Sequence, residues 1–169
     1  MQVVILGNAG SGKSTLASWL AQRGKAERLD LDTVAWESGQ AAVARDPALA
    51  QAEVERFCRS HEHWVVEGCY ASLVRVTLVF RPQLIWLDPG IEACLTNCRS
   101  RPWEPHKYAS ATEQNERLPF LLEWVVGYDE REGELGRAEH RECFFAYEGR
   151  RMHWIARPRL DALSEISWD

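Results

Sequence analysis

A short apolar run, Gln2-Val3-Val4-Ile5-Leu6, leads without a break into Gly7-Asn8-Ala9-Gly10-Ser11-Gly12-Lys13-Ser14. The residues that follow carry Leu16, Trp19 and Leu20 at helical spacing. No other stretch constrains the chain so tightly. The glycines let the backbone curl and turn its N–H groups inward. A helix starting at once behind such a loop offers its unpaired first-turn N–H groups and positive dipole end to the same point. The outcome is a cradle for phosphate oxygens, the P-loop pattern of Gly, four residues, then Gly-Lys-Ser/Thr. Lys13 can reach β- and γ-phosphates, and the Ser14 hydroxyl can ligate Mg²⁺. Gly7 to Thr15 is therefore the expected nucleotide-binding stretch, with ATP and Mg²⁺ as its ligands. The strand before it and the helix behind it distinguish it from a plain glycine-rich turn.

The rest of the chain alternates in the same way. Strands are predicted at Arg28 to Leu31, Trp64 to Glu67, Leu84 to Asp88 and Met152 to Ala156. Helices are predicted at Ser14 to Arg23 with Gly24 as C-cap, Pro47 to His61, Ile91 to Arg99, around Arg117 to Tyr128, and Arg137 to Tyr147 closed by Gly149. Five short strands separated by helices imply an α/β chain, a three-layer P-loop NTPase fold on a parallel, doubly wound five-stranded sheet. Pro102, Trp103 and Pro105 interrupt the pattern, so a lid or loop is expected around residues 100–112 of a single domain spanning 1–169.

Ligands of open α/β sheets sit at the carboxyl ends of strands, which turns attention to the acids there. Mg²⁺ on a P-loop needs a further carboxylate in its shell. Glu67 ends one apolar strand and Asp88 another. Asp88 has the more hydrophobic strand, but Glu67, followed by Gly68, matches the arrangement of small nucleotide kinases and is preferred; Asp88 can alternatively cap the next helix. Asp32, read as the end of the second strand, borders the acceptor side and could orient or deprotonate a hydroxyl. Asp30, two residues earlier, is expected to serve less. Transferred phosphoryl charge calls for arginines: Arg99 and Arg101 lead into the lid, Lys107 lies inside it, and Arg75 and Arg117 lie near. Arg157 and Arg159 follow the last strand, where an adenine would lie. Trp36 and Trp103 sit near loops where an acceptor ring could stack.

Composition narrows the class. With 169 residues, 46% hydrophobic and 27% charged, the chain reads as one globular domain. Its net charge of -5 argues against direct nucleic-acid binding. Arginine outnumbers lysine 17 to 3, which suits phosphate but also follows from genome composition. Five cysteines without zinc-ribbon spacing, and Met1 leading straight into a strand, suggest reduced thiols and a cytoplasmic location. Cys94 and Cys98 share a helix face and read as buried apolar side chains. His61 and His63 read as surface residues flanking a strand. No apolar run approaches a membrane span.

Leu31-Asp32 followed by Trp36, Trp64-Val65-Val66-Glu67-Gly68-Cys69-Tyr70, Arg75, Ile85-Trp86-Leu87-Asp88, and Glu116-Arg117-Leu118 followed by Trp124 complete a pattern along nearly the whole chain. Together with the P-loop it resembles the adenylate-kinase-like proteins known as DNA topology modulation protein FlaR. It departs from them at Glu67, where Asp is usual, at Cys69, where Asn is usual, and in a shorter lid. The resemblance implies a nucleoside-monophosphate-kinase-like fold, ATP and Mg²⁺ binding, and a kinase-like site, without fixing an acceptor. Three functions are then open: a small-molecule kinase acting on a nucleoside, nucleotide or other metabolite; an ATP-binding regulatory module with little turnover; and, last, a nucleic-acid end kinase.

Overall fold

A computed structural model describes residues 1–37, 43–105 and 108–156. Its strands are β1 (Gln2–Leu6), β2 (Glu27–Asp30), β3 (Trp64–Gly68), β4 (Gln83–Leu87) and β5 (Arg151–Trp154). Its helices are α1 (Lys13–Gly24), α2 (Asp32–Ala35), α3 (Pro47–Ser60), α4 (Ala71–Leu78), α5 (Ile91–Arg99), α6 (Ala111–Val126) and α7 (Arg137–Ala146), with a 3-10 turn at Gly127–Asp129. The strands form one parallel sheet in the order β2-β3-β1-β4-β5. All connections are crossovers, as parallel pairing demands.

The apolar strand runs have a physical reason: both faces of the sheet are covered. In β1, Val4 and Leu6 join Trp64, Val66, Leu84 and Trp86 in a core with Val54 and Cys58 of α3, Ala71 and Val74 of α4, and Cys143 and Phe144 of α7. Val3 and Ile5 point the other way, joining Val65, Ile85 and Leu87 against Leu16, Ala17 and Leu20 of α1. This alternation is the period of two of an extended chain. A third cluster, Cys94, Leu95, Cys98 and Val125, fastens α5 and α6 together and takes Ala9 of the P-loop onto its edge. All five cysteines are free thiols. Among the described residues no helix is long and apolar enough to cross a membrane.

Several boundaries differ from those expected. The second strand ends at Asp30, and Asp32 opens the one-turn helix α2. Asp30 causes this: its carboxylate accepts the Asp32 N–H at 3.0 Å and its carbonyl accepts the Thr33 hydroxyl at 2.7 Å, bending the chain out of the strand. The left-handed residue closing α1 is Lys25 (φ 49°), not Gly24, whose missing side chain instead makes room for Met1. Helix α3 starts at Pro47 behind Asp46, whose carboxylate accepts the Ala48 and Leu49 N–H groups. Helix α6 begins at Ala111, six residues before Arg117. Helix α4 answers to no predicted element.

Candidate active site

The P-loop turns between β1 and α1 through two left-handed glycines, Gly10 (φ 75°) and Gly12 (φ 97°). The first α-helical bond behind it is Leu16 N–H to Gly12 C=O at 3.1 Å, so the N–H groups of Lys13, Ser14 and Thr15 precede the ladder. Lys13 is nearly buried, and its ammonium donates to the Asn8 carbonyl at 2.8 Å, inside the loop. Ser11 is fully buried and its hydroxyl has no hydrogen-bond partner. The Asn8 side chain donates to the Val125 carbonyl at 3.0 Å and accepts the Ala9 N–H at 2.8 Å. Asn97 of α5 donates to the Gly10 carbonyl at 2.8 Å. A side chain at Gly10 would meet the Cys94 carbonyl and stand 2.7 Å from the Cys98 sulfur. Helices α5 and α6 thus hold the loop's outer curve; Cys94 and Cys98 are the buried side chains expected, while Asn97 went unrecognised in the sequence because its partner lies 87 positions away.

The acids gather on the other side. Register pairs Asp30 of β2 with Glu67 of β3, and Leu6 of β1 with Gly68, so Glu67 ends the strand next to the one that feeds the P-loop and Asp30 ends the strand beyond it. Both are buried. Asp30, expected to serve less, belongs to this group. Asp32 accepts the Tyr70 hydroxyl at 2.9 Å, and that hydroxyl accepts the Trp36 indole N–H at 2.8 Å. Burial and then the Asp32 charge push the Tyr70 pKa far up, so the phenol stays a donor. Burial pushes the Cys69 thiol pKa up to about 12, the Lys13 charge lowers it, and Asp32, Glu67 and Asp30 raise it. One ammonium and three carboxylates therefore lie within electrostatic reach of a single sulfur.

Asp88 stands apart. Its buried carboxylate accepts two N–H groups of Arg137, at 2.7 and 3.2 Å, and lies 3.5 Å from His153. It does not cap α5, which begins behind Gly90 without a side-chain cap. The arginines are dispersed. Arg75 turns to Glu139 of α7 at 2.6 Å, Arg101 to Glu104 at 2.7 Å, and Arg117 to Glu113 at 3.5 Å; Arg99 is exposed at the end of α5. In the expected lid segment, Glu104 N–H and the Pro102 carbonyl are tied to the Gln114 amide at 2.8 and 3.2 Å, and Trp103 donates to the Tyr108 carbonyl. Lys107, Arg157 and Arg159 lie outside the described residues.

His140 of α7 was not foreseen. It is fully buried, its Nε2 donates to the Cys69 carbonyl at 2.7 Å, and its Nδ1 accepts from the Tyr128 hydroxyl at 2.8 Å. Tyr128 in turn accepts the Trp86 indole N–H at 3.3 Å. Every member of this chain is satisfied only if the imidazole is neutral with its proton on Nε2. Burial pushes the His140 pKa down to about 4. The Cys69 carbonyl, two residues after Glu67, is thereby tied to α7. The spacing of His140 with Cys143 and Phe144 on one helix face was the available signal.

These residues fit a Mg²⁺–nucleoside triphosphate: free first-turn amides, a buried hydroxyl without a partner in the loop, an inward-turned ammonium, and buried carboxylates at adjacent strand ends. No three-ligand metal cluster exists among the described residues.

No protein-family model and no curated protein matches the chain. Solved structures do. An unliganded sugar kinase from Janibacter sp. HTCC2649 aligns with TM-score 0.54 at 13% identity, covering 96% of this chain and 89% of its own. A gluconokinase from Sinorhizobium meliloti 1021 aligns with TM-score 0.52 at 16% identity, covering 95% of this chain and 85% of its own. At such identities the likeness is one of fold, and it extends over nearly the whole length: the chain has the three-layer P-loop fold on a parallel five-stranded sheet.

Proposed function

We propose that this chain is a kinase that moves the γ-phosphoryl group of ATP onto a hydroxyl of a small molecule. The observation that carries the reading is a P-loop lysine turned into its loop at the end of β1, with the Glu67 and Asp30 carboxylates ending the next two strands in register and Asp32 opening the helix behind them. A phosphate cradle facing empty solvent would suit a binding module; a cradle facing carboxylates beside a tyrosine–tryptophan pair suits transfer to an acceptor.

The P-loop amides of Gly7 to Thr15 and the Lys13 ammonium, released from the Asn8 carbonyl, hold the β- and γ-phosphates. Ser14 and Glu67 would hold Mg²⁺, which neutralises charge on the phosphates when bound. Asp88 is the weaker metal candidate, because Arg137 already compensates its charge. Asp32 orients the acceptor hydroxyl through one carboxylate oxygen, held in place by Tyr70, and takes its proton as the new O–P bond forms. The bond from the γ-phosphorus to the bridging oxygen breaks, and ADP leaves with that electron pair. Arg99 and Arg101 are the candidates for stabilising the equatorial oxygens, Arg101 by exchanging Glu104 for the phosphoryl group. Arg157 would border the adenine.

Mass action gives the first test. At a hundredfold excess over Kd, a ligand stabilises the fold by about 2.7 kcal/mol. Millimolar Mg-ATP should raise the melting temperature of the wild type and do so far less for Lys13→Ala. An unchanged wild-type melting curve removes the reading.

A further inference from the structure

We infer that Asn97 of α5 is a nucleotide-positioning residue: by holding the Gly10 carbonyl from outside the P-loop, it keeps the Ser11 N–H turned inward for a phosphate oxygen. This rests on the reading of Gly7 to Thr15 as the ATP cradle, and it adds to that cradle a residue from a distant helix that the loop motif does not contain.

The bond itself is the first observation. The Asn97 amide donates to the Gly10 carbonyl at 2.8 Å, across 87 positions of sequence. The Gly10–Ser11 peptide is trans, so its C=O and N–H point to opposite sides. Fixing the Gly10 carbonyl toward α5 therefore fixes the Ser11 N–H toward the inside of the loop. There it meets the Asn8 carbonyl, the same oxygen that accepts the Lys13 ammonium. At 3.3 Å the contact from Ser11 is longer than an ordinary N–H···O bond. The amide is held in direction without being used up.

What the inner side leaves open is the second. Ser11 is fully buried, and its hydroxyl has no partner among the described residues. It faces the start of the loop, where a side chain at Gly7 would stand 3.1 Å from its oxygen. A buried hydroxyl without a partner costs free energy that a phosphate oxygen would restore. Ser11 thus brings an underused N–H and an unused O–H to one loop, and its peptide is the one that Asn97 pins.

The third is the freedom that Asn97 removes. Gly10 is left-handed at φ 75°, and glycine passes readily between such conformations. The Cys94 carbonyl and the Cys98 sulfur stand so close that the loop cannot move toward α5. That wall blocks displacement of Gly10. It does not stop the Gly10–Ser11 peptide from rotating about its own axis, which would turn the carbonyl inward against the phosphates. The bond from Asn97 does.

The experiment compares wild type with Asn97→Ala in three measurements: unliganded melting temperature, Kd for Mg-ATP by calorimetry, and the NMR shift of the Ser11 amide proton on adding Mg-ATP. Alanine is the better helix former, so α5 is kept in the variant. The unliganded melting temperature should stay close to that of wild type, while Kd should rise about tenfold. The Ser11 amide proton should move downfield with Mg-ATP in the wild type and much less in the variant at saturating ligand. A purely structural role would lower the unliganded melting temperature and leave the Ser11 response of the folded protein intact. If Kd is unchanged, or if Asn97→Ala keeps the full Ser11 shift, the inference is overturned while the ATP cradle stands. If the wild type does not bind Mg-ATP, the cradle reading falls, and the inference with it.

Discussion

Acidification of the protein with and without His140 is the perturbation whose size follows most directly from the structure. His140 is fully enclosed and satisfied only as the neutral imidazole, with a folded pKa near 4. In the unfolded chain a histidine takes its proton near 6.5. The folded value lies below the unfolded one. Above about pH 6.5 both states are neutral at this position and pH has no effect through it. As pH falls below that value the unfolded chain binds a proton that the folded protein refuses, and stability is lost until the folded group titrates near 4. Each pKa unit is worth about 1.4 kcal/mol, so the full effect is about 3 kcal/mol, and about 2 kcal/mol of it should be lost between pH 7 and 4.5. That is a large share of a typical domain stability of roughly 5–15 kcal/mol. Carboxylates titrate in the same range, so the comparison is with His140→Gln, which can still donate to the Cys69 carbonyl but binds no proton. Urea unfolding followed by circular dichroism at pH 7, 6, 5 and 4.5 gives both curves. The variant starts less stable and should lose about 2 kcal/mol less on acidification. Parallel curves would refute the neutral, buried imidazole and the network built on it.

Gly10→Ala should cost about 1–3 kcal/mol in urea unfolding and weaken Mg-ATP binding, because its Cβ meets the Cys94 carbonyl and the Cys98 sulfur at a left-handed position; unchanged stability and affinity would count against the loop geometry. Glu67→Gln should lower turnover with little change in stability. Asp88→Asn should do the reverse, leaving turnover largely intact while costing about 1–3 kcal/mol as Arg137 loses its buried charge partner. The opposite ranking, read from steady-state kinetics and unfolding curves, would move the metal shell to β4.

What was legible in the sequence was whatever a short period or a local motif encodes. β1, the P-loop and α1 form one continuous local signal, and the apolar runs of β3 and β4 announce strands covered on both faces. Helix α5 came out with its observed limits because Gly90 and the Arg99–Ser100 end bound it. Asp32 was misplaced because strand periodicity does not reveal a side chain that diverts the backbone, as the Asp30 carboxylate does. The same error hid Asp30, judged by its face on an imagined longer strand. Helix α4 was missed because Ala71–Leu78 is only eight residues long and carries the β-branched Val74, Val76 and Thr77, which weaken a helical reading. Long-range polar partners were invisible for a different reason: Asn97 and Gly10 lie 87 positions apart, His140 and Cys69 71, and Arg137 and Asp88 49. Only the folded sheet brings such pairs together. The arginines were the least legible, since each choice rested on proximity in sequence to a loop, whereas the direction of a side chain such as Arg75 is set by carboxylates of a neighbouring helix.

The central claim, phosphoryl transfer from the P-loop to a hydroxyl beside Asp32, is tested most directly by following label from [γ-³²P]ATP into the best acceptor. The account predicts one labelled acceptor formed per ADP by the wild type. Lys13→Ala should lose this together with ATP affinity. Asp32→Asn should retain ATP affinity while transferring label at least about 10²-fold more slowly. Label released only as inorganic phosphate, or full transfer by Asp32→Asn, would contradict it.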